Sequence, residues 1–178
     1  MDYDIEIALI MAGGKGKRFG SSMKPFVEIC GKPMIFNIIN KTRKIFKFTI
    51  IAVSANVESF LHILKNKYKD VMLIYTTGID YSIDIGIILD IIKERPIMIF
   101  PSDMPNITEE TIKYVIKSTE DIKEDIITIT DIHGNPIGIS IVKGYNLKKW
   151  TNFALDNKNI LNINTVEDFE KAKMMCND

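Results

Sequence analysis

The sequence predicts an α/β protein in which a mainly parallel sheet is covered by helices on both faces. Short apolar runs alternate with segments of helical periodicity from residue 5 to about residue 120, as in chains built from strand–helix–strand units. A dense group of glycines directly follows the first apolar run, at a point where open α/β sheets bind ligands. The chain of 178 residues is 46% hydrophobic, which suffices for one core without disulfides or metal. We therefore expect one domain over residues 1–178.

Charge and cysteine content exclude several classes of protein. The 23 basic side chains are balanced by 23 acidic ones, whereas general nucleic-acid binders carry a basic excess. No apolar run approaches the roughly 20 residues that cross a bilayer, and Asp2 and Asp4 stand where a signal peptide carries Lys or Arg. Cys30 and Cys176 are too few for a disulfide framework or a structural zinc site. We expect a cytoplasmic protein with no nucleic-acid or membrane partner.

In the first half of the chain, three apolar runs predict buried strands: residues 5–11, 48–54 and 71–75. A helix should begin at Pro33, because apolar residues recur at helical spacing up to Ile45 and Pro is tolerated in a first turn. Apolar residues from Val57 to Tyr68 predict a second helix. This alternation is typical of parallel strands connected by helices.

Gly78 interrupts the chain before a segment over residues 83–92. This segment fits a helix, although its first residues also alternate as in a strand. Thr108 can cap a further helix that carries Glu109 and Glu110 in its first turn, where the helix dipole favours acids. The strand–helix alternation therefore continues beyond the first half.

Four further strands are predicted over residues 96–100, 126–132, 137–142 and 159–163. The second and third of these flank a turn signal around Gly134, so they should form a hairpin. Asn164 or Thr165 should cap a final helix. The hairpin and the final helix are expected as additions to the parallel core.

The glycine group is the strongest functional signal in the sequence. It combines four glycines with four cations: Gly13, Gly14, Gly16, Gly20, Lys15, Lys17, Arg18 and Lys24. Glycine lets backbone N–H groups approach a phosphate chain or a base closely, and nearby cations neutralise a polyphosphate. We therefore expect a phosphate-binding loop rather than a solvated turn with an incidental basic run.

Two common phosphate-binding motifs do not fit this loop. A Walker A loop requires Gly-Lys-Ser/Thr, which the sequence lacks. A dinucleotide fingerprint needs glycine where Phe19 stands. It also needs an acid for the ribose at the end of the second strand, where Ser54, Ala55 and Asn56 stand. Both interpretations therefore fail.

Three motifs follow one another along the chain. The first is Ala12-Gly-Gly-x-Gly-x-Arg18-x-Gly with Lys24-Pro25 after it, the second is Pro-Ser-Asp103-Met-Pro, and the third is Leu161-Asn-Ile-Asn-Thr-Val-Glu-Asp168. Together they resemble the nucleotidyltransferases that activate sugars, alcohols and cofactor precursors with a nucleoside triphosphate. The resemblance covers nearly the whole chain. It implies one Rossmann-like three-layer domain, with a C-terminal β-hairpin and helix added to the mainly parallel sheet.

Further sequence details indicate which family of nucleotidyltransferases the chain resembles most. They are the compact size, Lys24-Pro25, Thr76-Thr77-Gly78 with Tyr81 and Asp84 after it, and Asn162-Ile-Asn164-Thr. In these the chain is similar to the archaeal GTP:adenosylcobinamide-phosphate guanylyltransferases. The molybdenum-cofactor guanylyltransferases are the alternative, because Ser-Asp-Met-Pro is similar to their version of that motif. They usually carry Asp-Lys, however, where this chain has Met23-Lys24.

The resemblance implies that GMP passes from GTP to a phosphorylated cofactor precursor, with adenosylcobinamide phosphate as the favoured acceptor, pyrophosphate as the second product and Mg²⁺ as the cofactor. Transfer to molybdopterin or a sugar 1-phosphate, and a catalytically silent GTP-binding module, are the alternative hypotheses. An acceptor phosphate is ionised near neutral pH, so positioning and cationic charge rather than a general base should provide most of the catalysis. Family likeness also implies a homodimer.

The resemblance also assigns roles to individual residues. Arg18, Lys24 and Asp103 would be catalytic, with Arg18 and Lys24 facing the phosphates. Asp103 would hold Mg²⁺ together with Asn162, although an Asp between two prolines also suits a turn. Nucleotide contacts would come from a larger set: Ala12, Gly13, Gly14, Lys15, Gly16, Lys17, Thr77, Gly78, Asp84, Gly138 and Asn164.

Several of these residues also have structural interpretations. Asn164 could cap the final helix, and Gly138 could mark a β-bulge. Asp84 could accept from guanine or lie exposed on a helix. Three aromatic residues could line a corrinoid site or serve as ordinary packing: Tyr145, Trp150 and Phe153.

Overall fold

A computed structural model of the chain describes residues 4–16, 19–156, 163 and 165–174. Within these residues the strands are β1 (Ile7–Met11), β2 (Glu28–Ile29), β3 (Lys32–Pro33), β4 (Phe48–Val53), β5 (Met72–Tyr75), β6 (Ile97–Pro101), β7 (Ile126–Thr130), β8 (Pro136–Val142) and β9 (Trp150–Ala154). The helices are α1 (Met34–Ile45), α2 (Leu61–Lys67), α3 (Tyr81–Ile91), α4 (Glu109–Ser118) and α5 (Val166–Met174), with short 3₁₀ helices at Lys24–Phe26 and Ala55–Phe60. None of these helices is long and apolar enough to cross a membrane.

The main sheet has the strand order β5-β4-β1-β6-β8-β7-β9. β5, β4, β1 and β6 are mutually parallel, which confirms the predicted parallel core. β8 pairs antiparallel with both β6 and β7, and β9 runs parallel to β7. The predicted hairpin therefore extends the same sheet. β2 and β3 form a separate antiparallel pair.

Helices cover both faces of the sheet, as the sequence predicts. Side chains of β1 alternate between two core clusters: Ala8 and Ile10 pack on the side of α1, α2 and α4, whereas Ile7 and Leu9 pack on the side of α3. This alternation follows from the two-residue repeat of a strand. α5 packs separately, in a small cluster with the start of α1. The architecture is a three-layer α/β fold.

Side chains cap the helices where the sequence predicts them. Thr108 accepts a hydrogen bond from the Thr111 N–H at 3.1 Å at the start of α4. Before α5, the Thr165 hydroxyl accepts from the Asp168 N–H at 3.1 Å and the Asp168 carboxylate accepts from the Thr165 N–H at 2.9 Å, which is a capping box. Thr165 therefore fulfils the capping prediction, and its alternative, Asn164, lies outside the described residues.

The structure corrects some details of the sequence prediction and decides one alternative. The predicted helix from Val57 is interrupted, because Val57 itself is non-helical (φ −122°, ψ 15°) and α2 begins only at Leu61. The helix predicted over residues 83–92 is confirmed, although it begins already at Tyr81, and its strand alternative is wrong. β9 is a strand that the sequence prediction lacks. The strand predicted at 159–163 lies outside the described residues except for Ile163, which is not in a strand.

Candidate active site

An open cleft of about 780 Å³ lies at the carboxyl ends of β1 and β6. The two strands are neighbours in register, with Met11 opposite Pro101. After β1 the chain continues to β4 on one side, whereas β6 lies on the other side, so the cleft occupies the switch point where α/β sheets bind ligands. Gly13 and Asp103 each stand two residues beyond the paired strand ends. The topology therefore brings the glycine loop and the strand-end acid to one place.

Hydrogen bonds from two residues that follow the neighbouring strand β4 fix the start of the glycine loop. The Gly13 carbonyl oxygen accepts from the Ser54 hydroxyl at 2.6 Å and from the Asn56 side-chain amide at 3.0 Å. A Cβ on Gly13 would lie 3.1 Å from the Ser54 backbone nitrogen, closer than is usual. Ser54 and Asn56 occupy the positions where a dinucleotide-binding fold carries its acid, and here they hold the loop instead.

Gly14 and Gly16 serve different purposes in this loop. Gly16 has a left-handed backbone (φ +58°), and a Cβ there would overlap the Ser21 carbonyl oxygen, so its glycine is needed for the fold itself. A Cβ on Gly14 would meet nothing within 4 Å, and Gly14 is exposed at the cleft. Its missing side chain leaves space in which a ligand can approach the backbone.

A second loop, Thr77 and Gly78, is held by Asp84. The Asp84 carboxylate is 4% exposed and accepts from the Thr77 N–H at 2.9 Å, the Thr77 hydroxyl at 2.6 Å and the Gly78 N–H at 3.0 Å. The interpretation of Asp84 as an exposed helix residue is therefore wrong. The Asn56 side-chain amide donates to the Gly78 carbonyl at 3.2 Å as well as to Gly13, so one amide ties the two loops together.

Lys24 and Asp103 form an ion pair in the cleft, although 79 residues separate them in sequence. Their side chains are only 12% and 13% exposed. Lys24 begins a 3₁₀ helix whose Phe26 is buried and stacks on Phe60 with ring centroids 4.6 Å apart. The Asp103 carbonyl accepts from the Ile163 N–H at 3.1 Å. Packing on both sides therefore fixes the backbone that carries the two charges.

The Asp103 carboxylate has one oxygen to spare. Lys24 contacts Oδ2, whereas Oδ1 is buried without a hydrogen-bond partner. A buried carboxylate oxygen in this state suits a hard divalent cation such as Mg²⁺. Among the residues that the structure describes, no three metal-ligating side chains cluster together. Such a cation would therefore take one protein carboxylate and complete its shell with phosphate oxygens and water, as Mg²⁺ commonly does.

Tyr81 extends the site on the side of α3. It lies in the first turn of that helix and lines the cleft. Although Tyr81 as a whole is 51% exposed, the partial loss of water around its phenol and then the negative charge of Asp103 raise the pKa of that group above its ordinary value. The hydroxyl therefore stays protonated and can donate a hydrogen bond. The sequence offers Tyr81 only as part of a resemblance, with no role attached.

The structure confirms the interpretation of Gly138 as a β-bulge residue, and Gly138 also lines the cleft. Its φ is +87°, and the register between β7 and β8 shifts between the Thr128 and Thr130 pairings, which is a β-bulge. The sequence prediction lacks several further cleft residues, some apolar, such as Phe19 and Ile79, and some polar, among them Ser22, Ser102, Thr128 and Ser140. Only Ser102 had a usable signal, its position beside the strand-end acid.

The structure gathers most of the predicted site residues at this cleft: Ala12, Gly13, Gly14, Lys15, Gly16, Lys24, Gly78, Asp84, Asp103 and Gly138. Thr77 supports them through its bonds to Asp84. Lys17, Arg18, Asn162 and Asn164 lie outside the described residues, so their predicted roles stay predictions.

The cleft combines a glycine loop at a switch point with a lysine and a carboxylate that has an unpartnered oxygen, an arrangement typical of proteins that bind nucleotides and act on phosphates. Residues 8–154 match the family model of the MobA-like NTP transferase domain. The chain belongs to this family and is therefore a nucleotidyltransferase.

Two curated relatives differ in how much of the chain they match. An adenosylcobinamide-phosphate guanylyltransferase of Methanocaldococcus jannaschii is 30% identical over 193 aligned positions, covering 94% of this chain and 96% of the relative. A probable molybdenum cofactor guanylyltransferase of Pyrococcus horikoshii is also 30% identical, but the alignment covers only 62% of this chain and 55% of the relative.

Solved structures share the fold. The molybdopterin-guanine dinucleotide biosynthesis protein A of Archaeoglobus fulgidus superposes with a TM-score of 0.73 at 20% identity, covering 96% of this chain and 98% of its own. A manganese complex of the Mycobacterium tuberculosis protein Rv0371c has a TM-score of 0.71 at 12% identity, covering 94% and 97%. These structures are similar to the chain in their three-layer architecture.

Proposed function

We propose that the protein transfers GMP from GTP to adenosylcobinamide phosphate, which gives adenosylcobinamide-GDP and pyrophosphate. The observation that carries this proposal is the meeting of Lys24 with Asp103, whose second oxygen is free, beside the glycine loop. The full-length similarity to an adenosylcobinamide-phosphate guanylyltransferase supports the choice of acceptor. The expected homodimer is not needed for this argument and stays a prediction.

In the proposed reaction, an acceptor phosphate oxygen attacks the α-phosphorus of GTP. The bond from that phosphorus to the bridging oxygen breaks, and pyrophosphate leaves. The attacking phosphate is already ionised, so no general base is required, and the barrier comes from bringing anions together. Lys24 would neutralise the α-phosphate, and Arg18, with its planar donor fork, the phosphates that leave.

Asp103 is the residue that would hold Mg²⁺, through the oxygen that lacks a partner. When bound, Mg²⁺ neutralises phosphate charge and orients the reacting groups. We assign Asn162 and Asn164 to the same region, as ligand and substrate contact respectively, because Ile163 between them in sequence bonds to the Asp103 carbonyl. Tyr81, whose phenol stays protonated, would donate to a phosphate oxygen.

The nucleotide itself would lie over the two loops that Asn56 ties together. Ala12, Gly13 and Gly14 would present backbone groups to the base or ribose, and Lys15, Gly16 and Lys17 would face the phosphates. We assign Asp84 an indirect part in guanine recognition, because its oxygens already hold Thr77 and Gly78.

The second candidate is guanylyl transfer to molybdopterin. The segment Ser102 to Pro105 favours it, because it is similar to the version of this motif in the molybdenum-cofactor guanylyltransferases. The similarity to the probable molybdenum cofactor guanylyltransferase of Pyrococcus horikoshii also favours it. A silent GTP-binding module is disfavoured, because nucleotide binding alone does not require both Lys24 and a carboxylate with a free oxygen.

Pyrophosphate release tests the proposal, measured with each of GTP, ATP, CTP and UTP in Mg²⁺, with and without adenosylcobinamide phosphate. We expect release only from GTP and only with this acceptor. Release from GTP with molybdopterin instead would favour the second candidate. Turnover of CTP or UTP alone would contradict guanylyl transfer, and GTP binding without release with either acceptor would favour the silent module.

A further inference from the structure

In the part of the chain that the structure describes, no helix covers the face of the sheet that carries α3 beyond β8. α3 packs on residues of β1, β4 and β6, whereas further out Trp150 is 61% exposed and Asn152 is also exposed. Strand pairing shows that they share this face, because Ile97 of the α3 cluster is opposite Val142, Val142 opposite Ile126, and Ile126 opposite Trp150.

The other face of β9 is covered. Phe153 points there and packs against Tyr114 of α4, with ring centroids 6.5 Å apart. Leu155, the residue after β9, is buried in the core cluster on the side of α1, α2 and α4. The exposure of Trp150 and Asn152 is therefore a property of one face and not of a loosely attached strand.

The open face is ordered in two rows by the strand register. One row is polar and runs from Ser140 through Thr128 to Asn152. The neighbouring row, two residues away along each strand, is apolar. It runs from Val142 through Ile126 to Trp150. From Ser140 to Asn152 the face extends about 10 Å, and from Asn152 to Trp150 about 7 Å.

This face is continuous with the active-site cleft, since Ser140 and Thr128 line both. We propose that Ser140, Thr128, Asn152 and Trp150, here called the acceptor platform, receive the ring body of the acceptor while its phosphate lies at Lys24. The inference rests on the proposed function and names the surface that selects the acceptor.

The chemistry of the platform specifies its occupant. All four side chains are uncharged, so the platform offers no cation to a second polyanion and suits a ring body without strong negative charge. Hydroxyl and amide groups offer donors and acceptors to polar substituents, and the exposed indole offers a flat apolar surface for stacking. A broad ring system with hydrogen-bonding edges fits both, and a corrinoid is of this class. A sugar phosphate would end within the cleft and would not reach Trp150.

The chain contains one tryptophan, so its intrinsic fluorescence reports directly on the platform. Adenosylcobinamide phosphate and GTP are titrated separately onto the protein, with free tryptophan as the control for light absorbed by the corrinoid. We expect saturable quenching by the acceptor, with a midpoint close to its KM, and little change with GTP.

Variants provide a second readout. Trp150→Ala should raise the KM of the acceptor about tenfold, and Asn152→Ala by a smaller factor, while the KM of GTP is unchanged. Tyr114→Ala is the matched control, because this aromatic residue is 57% exposed on the opposite face, and it should leave both KM values unchanged. Thermal unfolding confirms that each variant is folded.

The outcomes separate the platform from the reaction. Normal turnover by Trp150→Ala with unchanged acceptor KM, together with no saturable quenching in the wild type, would overturn the platform and leave the proposed function intact. Absence of wild-type turnover with GTP and adenosylcobinamide phosphate would overturn the proposed function and this inference with it.

Discussion

Replacing Asp84 by Asn distinguishes a carboxylate that reads guanine directly from one that holds the loop beneath the base. The wild-type side chain is buried and accepts from both donors of Thr77 and from the Gly78 N–H. An Asn side chain keeps one oxygen for the Thr77 donors, but it turns its NH₂ group toward Gly78, donor against donor.

The expected loss follows from these contacts. Leaving the buried Gly78 N–H unpaired costs about 1–3 kcal/mol, and loss of charge assistance in the two remaining bonds adds roughly 1 kcal/mol. Asp84→Asn should therefore lower the free energy of unfolding by about 2–4 kcal/mol, or roughly 5–15 °C in Tm. Asp90→Asn is the matched control in the same helix, because its side chain is 88% exposed and its pairing with Lys93 contributes little.

Urea denaturation of both variants measures the stability, and binding of GTP and inosine triphosphate measures recognition of the guanine amine. Because a loosened loop affects both nucleotides, we expect Asp84→Asn to weaken both by similar factors. An Asp84→Asn protein with the wild-type urea midpoint and a lost preference for GTP over inosine triphosphate would refute this reasoning. That result would restore direct reading of guanine by Asp84.

Three further predictions concern catalysis, backbone conformation and pH. Lys24→Met should lower kcat for pyrophosphate release at least about 100-fold. Lys44→Met is the control and should keep a kcat close to that of the wild type, because the Lys44 side chain is 63% exposed. A Lys24→Met enzyme with near-normal kcat would contradict the assigned role. Gly78→Ala should destabilise the protein by more than about 2 kcal/mol in urea, because φ is +66° and a Cβ would lie 2.5 Å from the Ser54 hydroxyl and the Asn56 amide. Gly86→Ala in α3, where a Cβ meets nothing within 4 Å, should stabilise it by about 0.5–1 kcal/mol, and equal urea midpoints for the two variants would be incompatible with this account. Burial raises the pKa of Tyr68 from 10.0 to about 12, against the opposing charge of Arg43 and a hydrogen bond to Asn40. The folded state thus favours the protonated phenol, so its contribution to stability is complete below pH 10.0 and is lost as the pH rises to about 12. Tyr68→Phe should show a smaller loss of stability over this range in urea denaturation, and an equal loss would assign the effect to another group.

The strands β1, β4 and β6 of the parallel core are predictable from sequence because they are largely buried on both faces and therefore appear as continuous apolar runs. β9 escapes the same reasoning. Trp150, Asn152 and Ala154 face outward on an edge strand, so no apolar run marks it. The interruption at Val57 escapes it too, since the apolar spacing continues across residues that do not form one helix.

The site is predictable only to the extent that its signals are local. The glycine loop and the strand-end Asp103 are visible because each is a short motif after a strand. Ser54 and Asn56 are not, since they act on the Gly13 carbonyl across 41 and 43 residues. Asp84 was ambiguous for another reason: α3 is apolar on nearly every side, so sequence spacing does not show which of its faces is buried.

The two halves of the cleft differ in their state before any ligand binds. The nucleotide half is preorganised, because Ser54, Asn56 and Asp84 already hold its loops, and this lowers the entropic cost of binding. In the catalytic half, Lys24 and Asp103 neutralise each other, which avoids a partly buried lone charge. If the proposed function holds, nucleotide phosphates would compete with Asp103 for Lys24, and the Asp103 carboxylate would then present two unpaired oxygens to those phosphates. That arrangement is repulsive unless a cation bridges the anions. Under the proposed function, the pair of Lys24 and Asp103 would therefore couple nucleotide binding to cation binding.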